Sequence, residues 1–251
     1  MTKVSVIIPA KDEEATLGMV LEDLNKTIPT LEGYTFEVIC VDDHSRDRTA
    51  AIARALGARV VENTRKPGKG NALRAGFEAA TGDLLIMMDA DYSHRPEDMR
   101  EFLSAMREGV GLVIGSRVFG GSEEYNHVRA LGNVFLSATT GLCTGRYLSD
   151  ALNGYKLFRR DVFTDFHYNS RMFEIEIEII ANTLRKGYRV VEVISHERAR
   201  AGGEMKSRVV HHGTRFLMRI LWEGMRGVKP RVLPEPKAAP SEKVESTGAG
   251  Q

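Results

Sequence analysis

Residues 82–98 read GDLLIMMDADYSHRPED, and no other stretch restricts the fold as much. Residues 84–88 are uninterruptedly apolar, as a strand buried on both faces of an α/β sheet requires, and the run then stops in acids. Asp89 and Asp91 flank Ala90, so both carboxylates can reach one divalent cation at a strand end, where open α/β sheets place their ligands. Pro96 then opens a helix, with Glu97 and Asp98 near its positive end. A lone D-x-D also describes a solvated turn, so its weight comes from the segments around it.

Those segments alternate. Residues 4–8 are a β-branched strand ending at Pro9, and residues 12–26 place Leu17, Val20, Leu21 and Leu24 at helical spacing. A second strand, residues 36–41, ends in Asp42 and Asp43, and Ser45 with Asp47 can cap the helix that follows. Val60 and Val61 make a third strand, after which residues 66–70 form a basic, glycine-rich turn into a helix over 71–80. Three strands alternating with three helices predict a doubly wound, mostly parallel twisted sheet flanked by helices.

Beyond the D-x-D strand, residues 111–115 form another strand, closing with Ser116 and Arg117. A helix over 125–142 carries Arg129 and Asn133 one turn apart on one face. Residues 153–158 suit a strand or hairpin arm. The pattern FEIEIEII at 173–180 fits a strand over its first half, but Ile180 and Leu184 continue at helical spacing and Gly187 offers a carboxyl cap, so a helix is expected over 173–186. Residues 188–194 give the last strand. The organisation expected is one α/β domain over 1–206, a basic amphipathic helix over 207–228, and a Pro-, Ala-, Ser- and Glu-rich disordered tail over 229–251.

A net charge of +1 gives no bulk attraction to nucleic acid, and none is expected as a partner. Cys40 and Cys143 have no metal spacing, and Cys40 falls in an apolar strand pattern that suits a buried thiol and a reduced cytoplasm. With no apolar leader and no run of roughly 20 apolar residues, the expectation is a cytoplasmic protein, soluble or peripheral at the cytoplasmic membrane face. No G-x-x-x-x-G-K-S/T is present, and no G-x-G-x-x-G follows the first strand. The first turn, PAKDEE, offers carboxylates, so phosphate would be handled by metal and cationic side chains.

Six segments in order, SVIIPAKDEE, EVICVDDHSRDRT, GDLLIMMDADYSH, VIGSRVFGG, SDALNGYKLFRR and RAGGEMK, resemble family 2 glycosyltransferases of GT-A fold, most of all dolichyl-phosphate mannose synthases and other polyprenyl-phosphate glycosyltransferases. The resemblance covers residues 3–206. It implies that Pro9, Lys11, Glu13, Cys40 and Asp42 line a nucleotide-sugar pocket. It also implies that Asp89, Ala90 and Asp91 hold the diphosphate through Mg or Mn, and that Arg200 and Lys206 close over the donor phosphates. Departures are Lys11 in place of a tyrosine, Ser93 in place of a glutamine metal ligand, and Met205 in place of a serine. The membrane-spanning helices that follow the domain in many relatives are not in this sequence, which leaves the helix after Lys206 as the membrane contact, alone or with an integral-membrane partner.

The chemistry implied is metal-dependent and inverting, with a sugar (mannose or glucose favoured) moved from a GDP- or UDP-sugar to a polyprenyl or dolichyl phosphate. Asp91, Arg117, Arg200 and Lys206 are the expected catalytic set, and Arg117, Arg129 and Asn133 the expected grip on the acceptor phosphate. Asp150 and Asn153 match a family loop, with Asp150 either a base or an organiser of that loop. Glu178 matches a helical glutamate, against which Glu174 and Glu176 suggest a solvated acidic face. His94 could touch the donor but reads rather as structural, His211 and His212 read as surface, and Lys69 could attract phosphate but reads rather as a screened loop charge. Two competing functions are transfer to a soluble hydroxyl acceptor on the same fold and a non-catalytic nucleotide-sugar-binding protein.

Overall fold

The computed structural model describes residues 1–123, 127–202 and 209–228, with side chains from 212 onward in the last segment. In chain order the elements are β1 (Thr2–Ala10), α1 (Leu17–Thr27), β2 (Tyr34–Asp42), α2 (Thr49–Ala55), β3 (Arg59–Glu62), α3 (Lys69–Ala79), β4 (Leu84–Met87), α4 (Met99–Ala105), β5 (Val110–Ser116), α5 (Arg117–Gly120), α6 (His127–Thr144), β6 (Lys156–Arg159), α7 (Arg160–Thr164), α8 (Ile175–Arg185), β7 (Arg189–Ile194) and α9 (Val209–Met225). The strands form one sheet in the order β3-β2-β1-β4-β6-β5-β7. Every neighbouring pair is parallel except those of β6, which runs antiparallel to both β4 and β5.

Alternation along the central strands divides the core between the two faces of the sheet. Ile7 and Val41 pack with Leu73 and Phe77 of α3 and with Ile179 and Ile180 of α8. Val6, Ile8 and Ile86 pack on the other face with Leu17 and Leu21 of α1 and Phe102 of α4. Burying each such side chain contributes about 1.5–3 kcal/mol, which the ordering of the chain largely offsets. All four residues of β4 are buried, as its unbroken apolar run demands.

The first helix starts later than its periodicity suggests, at Leu17. Asp12 sits at φ 50, and the backbone N–H groups of Glu13 and Glu14 donate to the side chains of Thr49 and Asp47. The turn PAKDEE is thereby held as a loop against the start of α2. FEIEIEII does form a helix, yet its acids are not solvated: Glu174, Glu176 and Glu178 are 7, 1 and 2 % exposed. Glu178 accepts from the backbone N–H groups of Asn169 and Ser170, and Arg215 and Arg219 of α9 neutralise Glu174 and Glu178. The expected segment 207–228 contains α9, while Met205, Lys206 and the tail over 229–251 lie outside the described residues.

Candidate active site

The carboxyl ends of β1, β2 and β4 open onto a cavity of about 380 Å³. Of the residues expected there, Pro9, Lys11, Glu13, Asp89, Ala90, Asp91 and Arg200 line it. Another depression, of about 390 Å³ and lined by Asp83, Arg159 and Arg160, lies at the amino end of β4, away from the acidic strand ends. The loops that follow β1, β2 and β4 each contain a non-glycine residue at positive φ, namely Asp12, His44 and Tyr92. Such conformations gather where a loop must present side chains to a site.

The D-x-D turn is tightly braced. His94 is buried, its Nδ1 accepts the Asp89 N–H at 3.1 Å, and its ring stacks on Tyr155 at 4.8 Å, so its role is structural as expected. Ser93 donates through Oγ to Asp91 Oδ1 at 2.6 Å and through its N–H at 3.1 Å, which makes it a support for Asp91. Arg200 pairs with Asp91 Oδ2 at 2.9 Å. The loop that delivers Arg200 is pinned by Arg198, which lies over the Tyr92 ring, pairs with Asp23 at 3.0 Å and donates its N–H to the Ser93 carbonyl.

Lys69, read from sequence as a screened surface charge, belongs to the site. Its Nζ lies 2.7 Å from Asp89 Oδ1 and 3.3 Å from Glu176 Oε1. The glycines around it explain its placement: a Cβ at Gly70 would meet the Ser170 carbonyl oxygen at 2.6 Å, and the Gly70 N–H donates to the Arg171 carbonyl. Only a residue without a side chain lets this turn seat against residues 170–172. Burial disfavours the Lys69 ammonium, but Asp89 and Glu176 outweigh it and raise its pKa. Burial likewise opposes the Asp89 carboxylate, and Lys69 overcomes it, holding the pKa at about 2.

A separate network lies at the end of β5. Arg117 forms a fork on Asp150, with Nε to Oδ2 at 2.7 Å and Nη2 to Oδ1 at 2.8 Å, and its Nη1 reaches Glu197 at 3.1 Å. Asp150 also accepts the Arg117 N–H and the Asn133 amide, while Glu192 accepts from the Asp150 N–H and from Ser149. Burial works against both charges of the pair. Each keeps the other ionised, so the Asp150 pKa falls and that of Arg117 rises. Asp150 is therefore an organiser of Arg117 and its loop. Arg129 sits half-buried on α6 one turn before Asn133.

Three further expectations are corrected, those for Cys40, Asp42 and His212. Cys40 is fully buried in β2 among Ile8, Ala53 and Val60, so it does not line the pocket, and burial pushes its thiol up to about 12. Asp42 accepts the Ser45 N–H and closes the turn after β2, leaving the cavity wall to Asp43. Asn153 is buried and donates to the Gly115 carbonyl, bracing the loop. His212 is 7 % exposed and packs its ring 4.9 Å from Phe173, so it is not a surface residue. Phe173, Met172 and Lys69 line the cavity without having been expected there; of these, only the glycine-flanked Lys69 left a signal in the sequence.

The carboxylates fit a hard divalent cation. Asp89 and Asp91 present only oxygen donors, which suit Mg²⁺ or Mn²⁺. Among the described residues no group of three or more His, Cys, Asp or Glu side chains gathers to hold an ion by itself. An ion here would complete its shell with water and phosphate oxygens, the usual manner of holding Mg²⁺.

Comparison with known proteins agrees with this architecture. The model of the family described as Glycosyl transferase family 2 matches residues 5–166. A dolichol-phosphate mannosyltransferase of Pyrococcus furiosus is 32 % identical over 88 % of this chain, and the match spans 65 % of that relative's length. An undecaprenyl-phosphate mannosyltransferase of Micrococcus luteus is 30 % identical over 89 % of this chain and 98 % of its own. The crystal structure of glucosyl-3-phosphoglycerate synthase from Mycobacterium tuberculosis superposes with a TM-score of 0.71 at 23 % identity, covering 92 % of this chain and 82 % of that one. This last likeness is one of fold, the GT-A arrangement.

Proposed function

Because this chain belongs to glycosyl transferase family 2, we propose that it moves a hexosyl group, mannose or glucose, from a nucleoside-diphosphate sugar to a polyprenyl phosphate. The observation that carries this reading is the pairing of each carboxylate of the D-x-D turn with a cation on the wall of one cavity, Asp89 with Lys69 and Asp91 with Arg200. A diphosphate entering that cavity meets two cations already held at its rim. Asp89 and Asp91 would hold a divalent ion, which supplies Lewis-acid stabilisation of the charge left on the departing diphosphate.

Lys69 and Arg200 stabilise the same developing charge from the protein side, and Glu176 keeps Lys69 from turning away. On the acceptor side, Asp150 is committed to Arg117 and Asn133 and has no role as a base. A phosphate monoester, with its second pKa at about 6, arrives ionised and needs no base. Its oxyanion attacks the anomeric carbon from the face opposite the diphosphate, which inverts that centre, and Arg117 and Arg129 position it. The relatives named for dolichol and undecaprenyl phosphates support the same acceptor class.

Purified protein would be given radiolabelled GDP- or UDP-hexose, Mn²⁺ and a polyprenyl phosphate, and organic-phase label counted. Metal-dependent transfer is expected. Transfer of labelled sugar to a plain hydroxyl acceptor with release of the nucleotide, polyprenyl phosphate being ignored, would replace this reading with transfer to a soluble acceptor.

A further inference from the structure

Strands β5 and β7 are parallel neighbours, so the chain leaves both at the same end of the sheet, side by side. The two departing segments stay zipped beyond the strands. Ser195 donates its N–H to the Ser116 carbonyl, Glu197 to that of Gly121, and Glu123 to that of Glu197. A Cβ at Gly120 would run into the Ser195 carbonyl, so only glycine permits this approach. The first segment begins with Arg117, and the second carries Arg200, which pairs with Asp91. The acceptor grip and a donor cation of the proposed reaction therefore rest on one seam.

One side chain clasps the seam. His196 lies with Nδ1 2.9 Å from the Gly120 carbonyl oxygen and Nε2 3.0 Å from Glu123 Oε1. A carbonyl and a carboxylate only accept hydrogen bonds, so both ring nitrogens must donate, and a neutral imidazole has a single N–H to give. The imidazolium alone completes the arrangement. Glu123 Oε2 accepts the Ala199 N–H at 2.9 Å, one residue before Arg200. The ring thus holds Glu123, and Glu123 holds the backbone that delivers Arg200.

The surrounding charges agree. Glu123 raises the His196 pKa above the ordinary 6.5 and the Gly120 carbonyl adds to this, while burial and Arg95 oppose them. Glu123 itself stays ionised, because the Ala199 N–H and His196 lower its pKa. From the turn before α4, Asp98 accepts the His196 N–H at 3.3 Å and the Ser195 hydroxyl at 2.9 Å. Glu197 is turned to Arg117 and Ser122, and Arg198 to Asp23. The His196 side chain is 33 % exposed, so its proton exchanges with solvent.

We infer that His196 is a positioning residue for both substrates: as imidazolium it locks residues 117–123 to residues 195–200, and on losing its proton it frees Glu123 and the backbone before Arg200. This goes beyond the proposed reaction and rests on it only for what Arg117 and Arg200 hold. With the folded value raised, the clasp is complete below pH 6.5 and is lost as pH rises through the His196 pKa.

Nitrogen-15 spectra of the imidazole, assigned with His196→Gln, should show both ring nitrogens protonated at about pH 6 and a titration above the ordinary histidine value. Affinity for a GDP- or UDP-hexose with Mn²⁺ is the second readout, since neither phosphate of a sugar nucleotide titrates near neutral pH. As the ring titrates, wild-type affinity should fall roughly two- to fivefold, to the level that His196→Gln holds throughout. Lys156 titrates in both proteins and so cancels in the comparison. Glu123→Gln, at an exposed position, should lose affinity to the same degree at low pH and return the ring's titration toward its ordinary value. A single protonated ring nitrogen at about pH 6, or a pH limb that persists in His196→Gln, would overturn the clasp. A donor limb that follows the ring, in a protein that transfers nothing to polyprenyl phosphate, keeps the clasp and discards the proposed reaction.

Discussion

Arg117 and Asp150, 33 residues apart in sequence, close a two-pronged ion pair at the end of β5, Nε to Oδ2 at 2.7 Å and Nη2 to Oδ1 at 2.8 Å. Asp150 is fully buried whereas the Arg117 side chain is 27 % exposed, so one end of the pair faces solvent and a substrate can reach it. Asp150→Asn keeps the shape and removes the charge, leaving Arg117 with Glu197 alone. Breaking a fully buried pair costs 3–5 kcal/mol, and partial exposure here reduces that to about 2–3 kcal/mol of stability. Urea unfolding should show this loss, and kinetics should show a raised KM for polyprenyl phosphate. An unchanged KM would remove Asp150 from the acceptor side. Arg117→Lys should fare no better, since it keeps the charge and loses the fork.

Asp91→Asn tests the metal clamp. Calorimetric titration of a nucleoside diphosphate in the presence of Mn²⁺ should show affinity weakened roughly tenfold or more, because one anionic oxygen ligand is lost to a hard cation. The wild type should in turn weaken by a similar factor when chelator replaces Mn²⁺. Equal affinity with and without the ion in both proteins would dismiss the clamp.

Gly154→Ala should disturb the donor side through Lys69. The added Cβ would lie 2.8 Å from Lys69 Nζ and 3.0 Å from Asp89 Oδ2, so the ion pair must shift. Overpacking of this kind costs about 1–3 kcal/mol, and nucleoside diphosphate affinity should drop with it. Chemical denaturation and the same titration, read together, check this. A variant with full affinity would show that Lys69 and Asp89 tolerate displacement.

Lys156 gives the fold a pH signature. It is fully buried, donates to the carbonyls of Ala151 and Asn153, and burial lowers its pKa to about 8 although Glu176 opposes the shift. Between about pH 8 and its unfolded value near 10.5, the unfolded chain holds a proton that the folded protein has released. Stability from this group therefore rises with pH across that window and is lost as pH falls toward 8, by about 1.4 kcal/mol per unit at most. Over pH 7 to about 9.5, the wild-type urea midpoint should rise relative to that of Lys156→Met as pH rises. A constant gap would show that Lys156 does not titrate there.

The strands and helices were legible because burial leaves a period. The unbroken run before Asp89 gave β4, and Ile180 with Leu184 gave α8 in spite of the FEIEIEII alternation. Family segments gave the cavity-lining Pro9, Glu13, Asp89, Asp91 and Arg200, each on or just after a β-strand of the sheet or on a loop leading from it. Cys40 was placed at the pocket by the resemblance, whereas the apolar pattern of β2 marked it as a buried thiol, and the structure shows the latter. The packing of β2 against α1 and α2 buries it and leaves Asp43 at the cavity.

What the sequence determined by itself was the order of elements, the acidic strand ends and the family, all of which depend on local pattern and ordered motifs. Partnership was decided by tertiary structure alone. Lys69 and Glu176 stand 107 residues apart and Arg117 and Asp150 stand 33 apart, and whether such charges meet depends on which strand lies beside which in the sheet. The same holds for α6: its sequence shows apolar residues at helical spacing, but only packing against the domain reveals that Val128, Leu131, Phe135 and Leu142 face outward. A charge or an apolar side chain acquires its energetic meaning from whether water is excluded around it, and that is a property of the assembled fold.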